Sequence, residues 1–260
     1  MPRTGRAHSG TGIYHAMLRG INRQDIFEEP EDYWAFIKIL SSLQLRLENG
    51  GACTCRIYAY CLMPNHVHLL LCEKDWKLGD VVKSVAASYA FFYNKKYGRI
   101  GHLFQDRFKS EPCNTPDYFI TLFRYIHQNP VKAGLVKTAA EYGYSSWGND
   151  YLNKAVIPVC NTETVVNRFG KDELAALVDM PLPESAGCLE LSERKIIADE
   201  DVRRLMLGKS GASSVTDFQS LSREWKKEVV SGVMKELGAG PRQMSRVSGL
   251  PYSLIYKLNK

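Results

Sequence analysis

Residues 60–71, YCLMPNHVHLLL, constrain this chain more than any other stretch. Met63-Pro64-Asn65 interrupts an almost continuous apolar run, and a Pro-Asn step between two such segments reads as a turn. The run from His66 to Leu71 reads as a short buried strand, with residues 56–62 as its hairpin partner. Side chains at i and i+2 of a strand share a face, so His66 and His68 project side by side with Val67 in the opposite layer. Two neighbouring neutral imidazoles make a ready ligand pair for a divalent metal. A strand can equally carry two half-buried histidines with no joint role, so the decision falls to the rest of the chain.

Upstream, residues 13–18 are strand-like and end at the polar, basic segment 19–23. Pro30-Glu31-Asp32 opens a helix with apolar residues at Ile37, Leu40 and Leu43, stopped by Asn49-Gly50-Gly51. After Lys77, the spacing of Leu78, Val81, Val82, Val85, Tyr89 and Phe92 predicts a second helix ending near Gly98. Residues 101–110 read as a short hairpin or extended arm, and Thr115-Pro116-Asp117 caps a third helix running to about Gln128. This order predicts an α+β fold: a ferredoxin-like antiparallel sheet with helices on one face, occupying residues 1–150. Residues 151–198, with prolines at 158, 181 and 183, read as a linker or small connecting subdomain in which 165–178 forms one or two short helices. Residues 199–260 read as a small all-α domain. One helix spans 225–237, and two short helices flank the glycine turn at Gly249 in a helix-turn-helix-like layout.

Net charge is +6. Lys and Arg outnumber Asp and Glu by 18 to 14 in residues 1–150 and by 11 to 7 in 199–260, whereas 151–198 carry 5 against 7. Both ends therefore suit a polyanion, although so mild an excess is common in soluble enzymes. Seven cysteines, an odd number with no CxxC pair, argue against a secreted disulfide framework. No apolar run approaches the roughly 20 residues of a membrane span. The N-terminal MPRTGRAHSGTG lacks an apolar signal core, so the expected location is cytoplasmic, away from any membrane.

The third helix carries a second group of chemistry-bearing residues. Tyr125 and Asn129 are at i and i+4, on one helical face one turn apart. Placed over the His66/His68 strand, Asn129 would add an oxygen ligand and Tyr125 would present its hydroxyl beside the metal. Such a metal can polarise a phosphodiester, and a tyrosine whose phenolate is stabilised is a competent nucleophile. Singly, each has a plainer reading: Tyr125 as a core aromatic and Asn129 as a helix C-cap before Pro130. His127 points roughly to the other face and stays outside the predicted site.

Taken together, these motifs resemble the single-tyrosine HUH transposases, specifically the REP-associated tyrosine transposase branch. Stretches 19–27, 101–110 and 142–147 add to the resemblance, which covers about residues 10–150 in the expected order. It implies a ferredoxin-like core using Mg²⁺ or Mn²⁺, with His66 and His68 as metal ligands and Tyr125 as nucleophile. Attack on single-stranded DNA would give a 5′-phosphotyrosine and a free 3′-OH, and the step can reverse to rejoin strands. Asn129 takes the third-ligand place, where insertion-sequence relatives usually have Gln. DNA contacts are expected from Arg19, Asn22, Arg23, His102, Gln105, Arg107 and Lys109 in the core. In the tail they are expected from Arg242, Gln243, Arg246, Tyr252, Ser253, Tyr256 and Lys257. The partners implied are single-stranded or hairpin DNA and duplex DNA at the C-terminal helices, with a homodimer of the core left open. Two alternatives remain: a DNA-binding regulator with a degenerate core, and a hydrolase in which Tyr125 merely packs.

Overall fold

A computed structural model describes residues 6–48, 54–105, 107–152, 157–182, 187–188 and 198–258. The Asn49-Gly50-Gly51 stop lies outside the described residues. The chain forms two compact units, residues 1–190 and 191–260.

The first unit is built on four strands, β1 (Ile13–Arg19), β2 (Cys55–Met63), β3 (His66–Glu73) and β4 (Lys109–Pro112). Their spatial order is β2-β3-β1-β4, and every neighbouring pair is antiparallel. Pro64-Asn65 makes the two-residue turn of the β2–β3 hairpin, which pairs Met63 with His66. Its carbonyls are taken from outside the hairpin: Ile26 N–H donates to Pro64 O (2.8 Å) and Gly20 N–H to Asn65 O (2.9 Å). The expected hairpin within 101–110 is not seen among the described residues. Phe104 bridges Gly20, and the arm ends by adding β4 to the sheet edge.

Three helices cover the sheet: α1 (Pro30–Glu48), α2 (Leu78–Lys96) and α3 (Pro116–Lys132). The expected α+β antiparallel sheet is present, with α1 and α2 sharing one face. There they enclose Tyr14, Ala16, Leu18, Val67, Leu69 and Leu71. The third helix departs from the one-face arrangement and packs on the opposite side, against Tyr58, Ala59, Cys61, Met63, Leu70 and Cys72. The cause lies in β2 and β3, which are apolar at nearly every position and so need cover on both faces. A bulge strengthens this: Ile57 pairs with Leu71 but Ala59 with Leu70, so Tyr58 is an extra residue, and both Tyr58 and Ala59 face α3.

α3 starts where Thr115 Oγ1 accepts from Tyr118 N–H (3.2 Å), with Pro116 just inside the helix. It runs through Pro130 to Lys132, one turn beyond the expected end. So close to the terminus Pro130 forfeits only one backbone bond, and Ala133 N–H to Asn129 O (2.9 Å) closes the helix. The exposed edge of β2 is held by residues 142–146: Leu62 N–H donates to Tyr144 O (3.0 Å), Tyr142 Oη–H to Leu62 O (2.6 Å), and Tyr60 N–H to Ser146 Oγ (2.9 Å). Two further helices, α4 (Thr162–Phe169) and α5 (Lys171–Asp179), belong to this unit. Gln128 Nε2–H donates to Val178 O (2.8 Å), fastening the end of α5 to α3.

Among its described residues the second unit is all-helical: α6 (Asp199–Ser210), α7 (Val215–Ser220), α8 (Arg223–Leu237), α9 (Pro241–Ser248) and α10 (Tyr252–Leu258). Val202, Met206, Phe218, Val230, Val233, Met244 and Ile255 form its buried core. Gly249, at φ 69°, ends α9 in the left-handed region and lets the chain turn sharply into α10. Among the described residues, no helix is long and apolar enough to cross a membrane.

Candidate active site and DNA-binding surfaces

β1 lies beside β3 with Met17 opposite His68 and Arg19 opposite His66. Strand alternation therefore gathers His15, Met17 and Arg19 with His66 and His68 on the face that α3 covers. The His66 and His68 ring centroids are 4.9 Å apart. Tyr125 descends from α3 and sets its ring edge-on to both inner histidines, 5.6 Å from His68 and 5.9 Å from His15. Its position is fixed by Phe119, Leu122, Phe123 and Ile126, which bury against the sheet and each contribute about 2 kcal/mol.

Both predicted imidazole ligands are held through Nδ1. His66 Nδ1 lies 2.6 Å from Asn65 Oδ1, and Asn65 Nδ2–H donates to Arg23 O (3.3 Å), which orients that amide. His68 Nδ1 lies 2.9 Å from His15 Nε2, and His15 Nδ1 lies 2.6 Å from Glu111 Oε1. Burial, and then the nearby Arg19 cation, lowers the His66 pKa to about 4. Burial foremost, with the two neighbouring histidines, holds His68 well below the usual range. Both rings are thus neutral at ordinary pH, the form that binds metal. His68 Nε2 is buried with no hydrogen-bond partner, a costly state for a polar atom unless something else meets it.

The donor set expected from the sequence is two imidazoles, His66 and His68, and the Asn129 amide. Asn129 Nδ2–H donates back to Tyr125 O (2.8 Å), leaving Oδ1 as the atom with ligating capacity. Among the described residues, no group of three or more His, Cys, Asp or Glu is arranged to hold a metal. Lys132, in the turn of α3 beyond Gln128, places Nζ 5.1 Å from the Tyr125 ring centre. His127 is fully buried against Ser146 Oγ (2.7 Å), apart from the candidate site.

Several expected DNA contacts converge at the same end of the sheet. Arg19 O accepts from Gln105 N–H (2.8 Å) and Ile21 N–H donates to Leu103 O (2.9 Å), so the 19–24 and 102–105 segments are clasped beside His66. Asn22 and Arg23 sit at φ 51° and 62°, an uncommon left-handed pair of non-glycine residues. Gly20 is needed there, because a Cβ would come within 2.8 Å of Ile26 Cγ2 and closer still to Gln24 O. His102, Gln105, Arg107 and Lys109 are exposed along the arm to β4. Sequence reasoning missed His15, Glu111 and Lys132. A histidine inside an apolar strand was the available signal for the first; Glu111 needed the β1–β4 pairing, and Lys132 the extra helical turn.

In the second unit, Arg242, Tyr252, Ser253 and Lys257 are exposed on α9 and α10. Tyr252 and Tyr256 rings lie 5.7 Å apart. Gln243 and Arg246 are committed within the unit: Arg246 Nε and Nη2 donate to the two Asp199 oxygens (2.7 Å each), and Gln243 Nε2–H donates to Oδ1 (3.0 Å). Arg246 first, and then Gln243, pull the Asp199 pKa down to about 2.

No curated protein matches the chain. A solved structure of a REP-associated tyrosine transposase bound to a REP hairpin is 16% identical, with a TM-score of 0.49, covering 74% of this chain and 100% of that one. A crystal structure from Deinococcus radiodurans R1, whose protein carries a provisional transposase name, is 20% identical with a TM-score of 0.33, covering 48% of this chain and 96% of that one. The family model described as "Transposase IS200 like" matches residues 9–129. The span that this model matches holds all four strands, both histidines of the pair and the tyrosine.

Proposed function

We propose that this protein nicks and rejoins single-stranded, hairpin-forming DNA through a 5′-phosphotyrosine on Tyr125, as a REP-associated tyrosine transposase. The observation that carries the reading is the Tyr125 ring held edge-on against His68, 5.6 Å away, on the face where His66 also lies. In the forward step Tyr125 Oη bonds to the scissile phosphorus and the bond from phosphorus to the 3′ oxygen breaks. The phenolic proton leaves Tyr125, and a proton reaches the departing oxygen to give the 3′-OH. The same 3′-OH, or another, attacks the phosphotyrosine to rejoin a strand and release the tyrosine.

His66 Nε2, His68 Nε2 and Asn129 Oδ1 are the atoms suited to hold Mg²⁺ or Mn²⁺. Supporting this are the neutral buried rings and the unpartnered His68 Nε2. A bound ion would supply Lewis-acid polarisation of the phosphate. Lys132 favours the developing phenolate from beside the ring. Arg19, Asn22, Arg23, His102, Gln105, Arg107 and Lys109 contact the single strand or hairpin, and α9 and α10 contact duplex DNA. In this reading residues 1–150 are the nuclease core, 151–198 a small connecting subdomain whose helices α4 and α5 pack with that core, and 199–260 the DNA-binding tail.

The test uses Mg²⁺ and labelled hairpin DNA from the flanks of the gene, resolved on a denaturing gel. A covalent protein–DNA adduct is expected, and Tyr125→Phe is expected to abolish it. Cleavage persisting in Tyr125→Phe would instead leave a hydrolase using water. Tight duplex binding with no cleavage by the intact protein would leave a DNA-binding regulator.

A further inference from the structure

Behind His68 runs a chain of hydrogen bonds that the phosphotyrosine reaction does not itself require. Glu111, on β4, directs Oε1 at His15 Nδ1 (2.6 Å), while its Oε2 accepts from Tyr118 Oη–H of α3 (2.8 Å). His15, on β1, is fully buried and meets His68 Nδ1 through Nε2 (2.9 Å), with the two rings stacked 5.2 Å apart and 16° from parallel. Four elements thus contribute one residue each: β4, α3, β1 and β3.

The polarity of the chain follows from what each atom can do. An ionised carboxylate only accepts, so the proton between Glu111 and His15 sits on His15 Nδ1. A neutral His15 then has a bare lone pair at Nε2, which can only accept, so His68 must carry its proton on Nδ1. That leaves the His68 Nε2 lone pair bare, and this is the buried atom with no partner in the protein. An unconstrained histidine favours the opposite tautomer, protonated at Nε2, which cannot bind a metal through that nitrogen.

We infer that Glu111 and His15 are positioning residues that lock His68 in its Nδ1–H tautomer and aim Nε2 at the divalent ion. The inference rests on the metal reading above and deepens it, because it names which residues set the basicity and direction of one ligand. Outer partners of this kind typically change metal affinity by about 10- to 100-fold. His66 is set the same way by a different device, the Asn65 amide oxygen at 2.6 Å.

Two measurements on the intact, folded protein test it. The first is a long-range ¹H–¹⁵N spectrum of the histidines without metal, and the second is Mn²⁺ binding by calorimetry. In the native chain His68 is expected as the Nδ1–H tautomer. His15→Leu should release His68 toward the Nε2–H form and weaken Mn²⁺ by about 10-fold or more. Glu111→Gln, at a half-buried position, tests the same effect where the first variant fails to fold. His15→Gln, whose amide can donate to Glu111 and accept from His68, should restore both readouts. A native His68 protonated at Nε2, or a folded His15→Leu protein with unchanged tautomer and Mn²⁺ affinity, overturns the inference. Native protein that takes up no Mn²⁺ overturns the metal reading instead, and the metal-free spectrum still judges the relay.

Discussion

The two faces of the central strands β1 and β3 are made of alternate residues of the same segments, and they do different work. One face presents Tyr14, Ala16, Leu18, Val67, Leu69 and Leu71 to α1 and α2 in a dry core. The other presents His15, Met17, Arg19, His66, His68 and Leu70 beneath α3. On the first face side chains are interchangeable in kind, because dispersion and burial ask only for volume. On the second they are not, because each polar atom has a direction. The contrast predicts opposite phenotypes from adjacent residues. His68→Leu should lower covalent-adduct formation by on the order of 10³-fold or more while the protein still folds. Nicking near the native rate in that variant would remove His68 from the site. Leu69→Ala, one residue along, should cost about 2–5 kcal/mol in urea unfolding, with the folded fraction forming adduct at the native rate. An inactive but fully stable Leu69→Ala protein would dissolve the distinction between the faces.

The same contrast gives a pH dependence. His66, with a pKa held near 4, His127, near 3, and His68, lower than usual, remain neutral when folded. Unfolded, each titrates near 6.5, so between that value and about 4 the unfolded chain binds protons that the folded chain does not. Stability should therefore be fully present above pH 6.5 and fall as pH drops, by up to about 1.4 kcal/mol per pH unit for each such histidine. His127→Gln, in the α3 contact remote from the candidate site, should flatten the slope by about one histidine's share. A slope identical to that of the native protein would mean that His127 is protonated in the folded state.

What the sequence made legible divides along these faces. Apolar patterning located β1, β2, β3, α1 and α2, and the Thr115-Pro116-Asp117 cap located α3; β4, with the sequence Lys-Ser-Glu-Pro, has no apolar pattern and reads only as part of an arm. Periodicity also put His66 and His68 on one side of a strand, since that needs only the period of two. The face taken by α3 was not legible, because β2 and β3 are apolar throughout and carry no mark of which layer covers which side. His15 and Glu111 were missed for a related reason: they lie 53 and 43 residues from His68, and only the β1–β3 and β1–β4 registers bring them together. Lys132 was missed because Pro130 reads as a stop, whereas the helix passes it at the cost of a single backbone bond.

Lys132 supplies the smallest expected effect, and it probes the polar face from above. Its Nζ lies 5.1 Å from the centre of the Tyr125 ring, and its side chain is open to solvent, so its attraction for the ring is worth about 0.5–1 kcal/mol. In Lys132→Gln the phenolate loses that support, while the contacts of α3 with the sheet do not involve this side chain. Adduct formation should slow by about two- to five-fold with unchanged thermal stability. Raising the pH should narrow the gap, because a tyrosine that ionises unaided no longer needs the neighbouring cation. A deficit constant across pH would place Lys132 on the DNA backbone instead, and it would then weaken as salt is added.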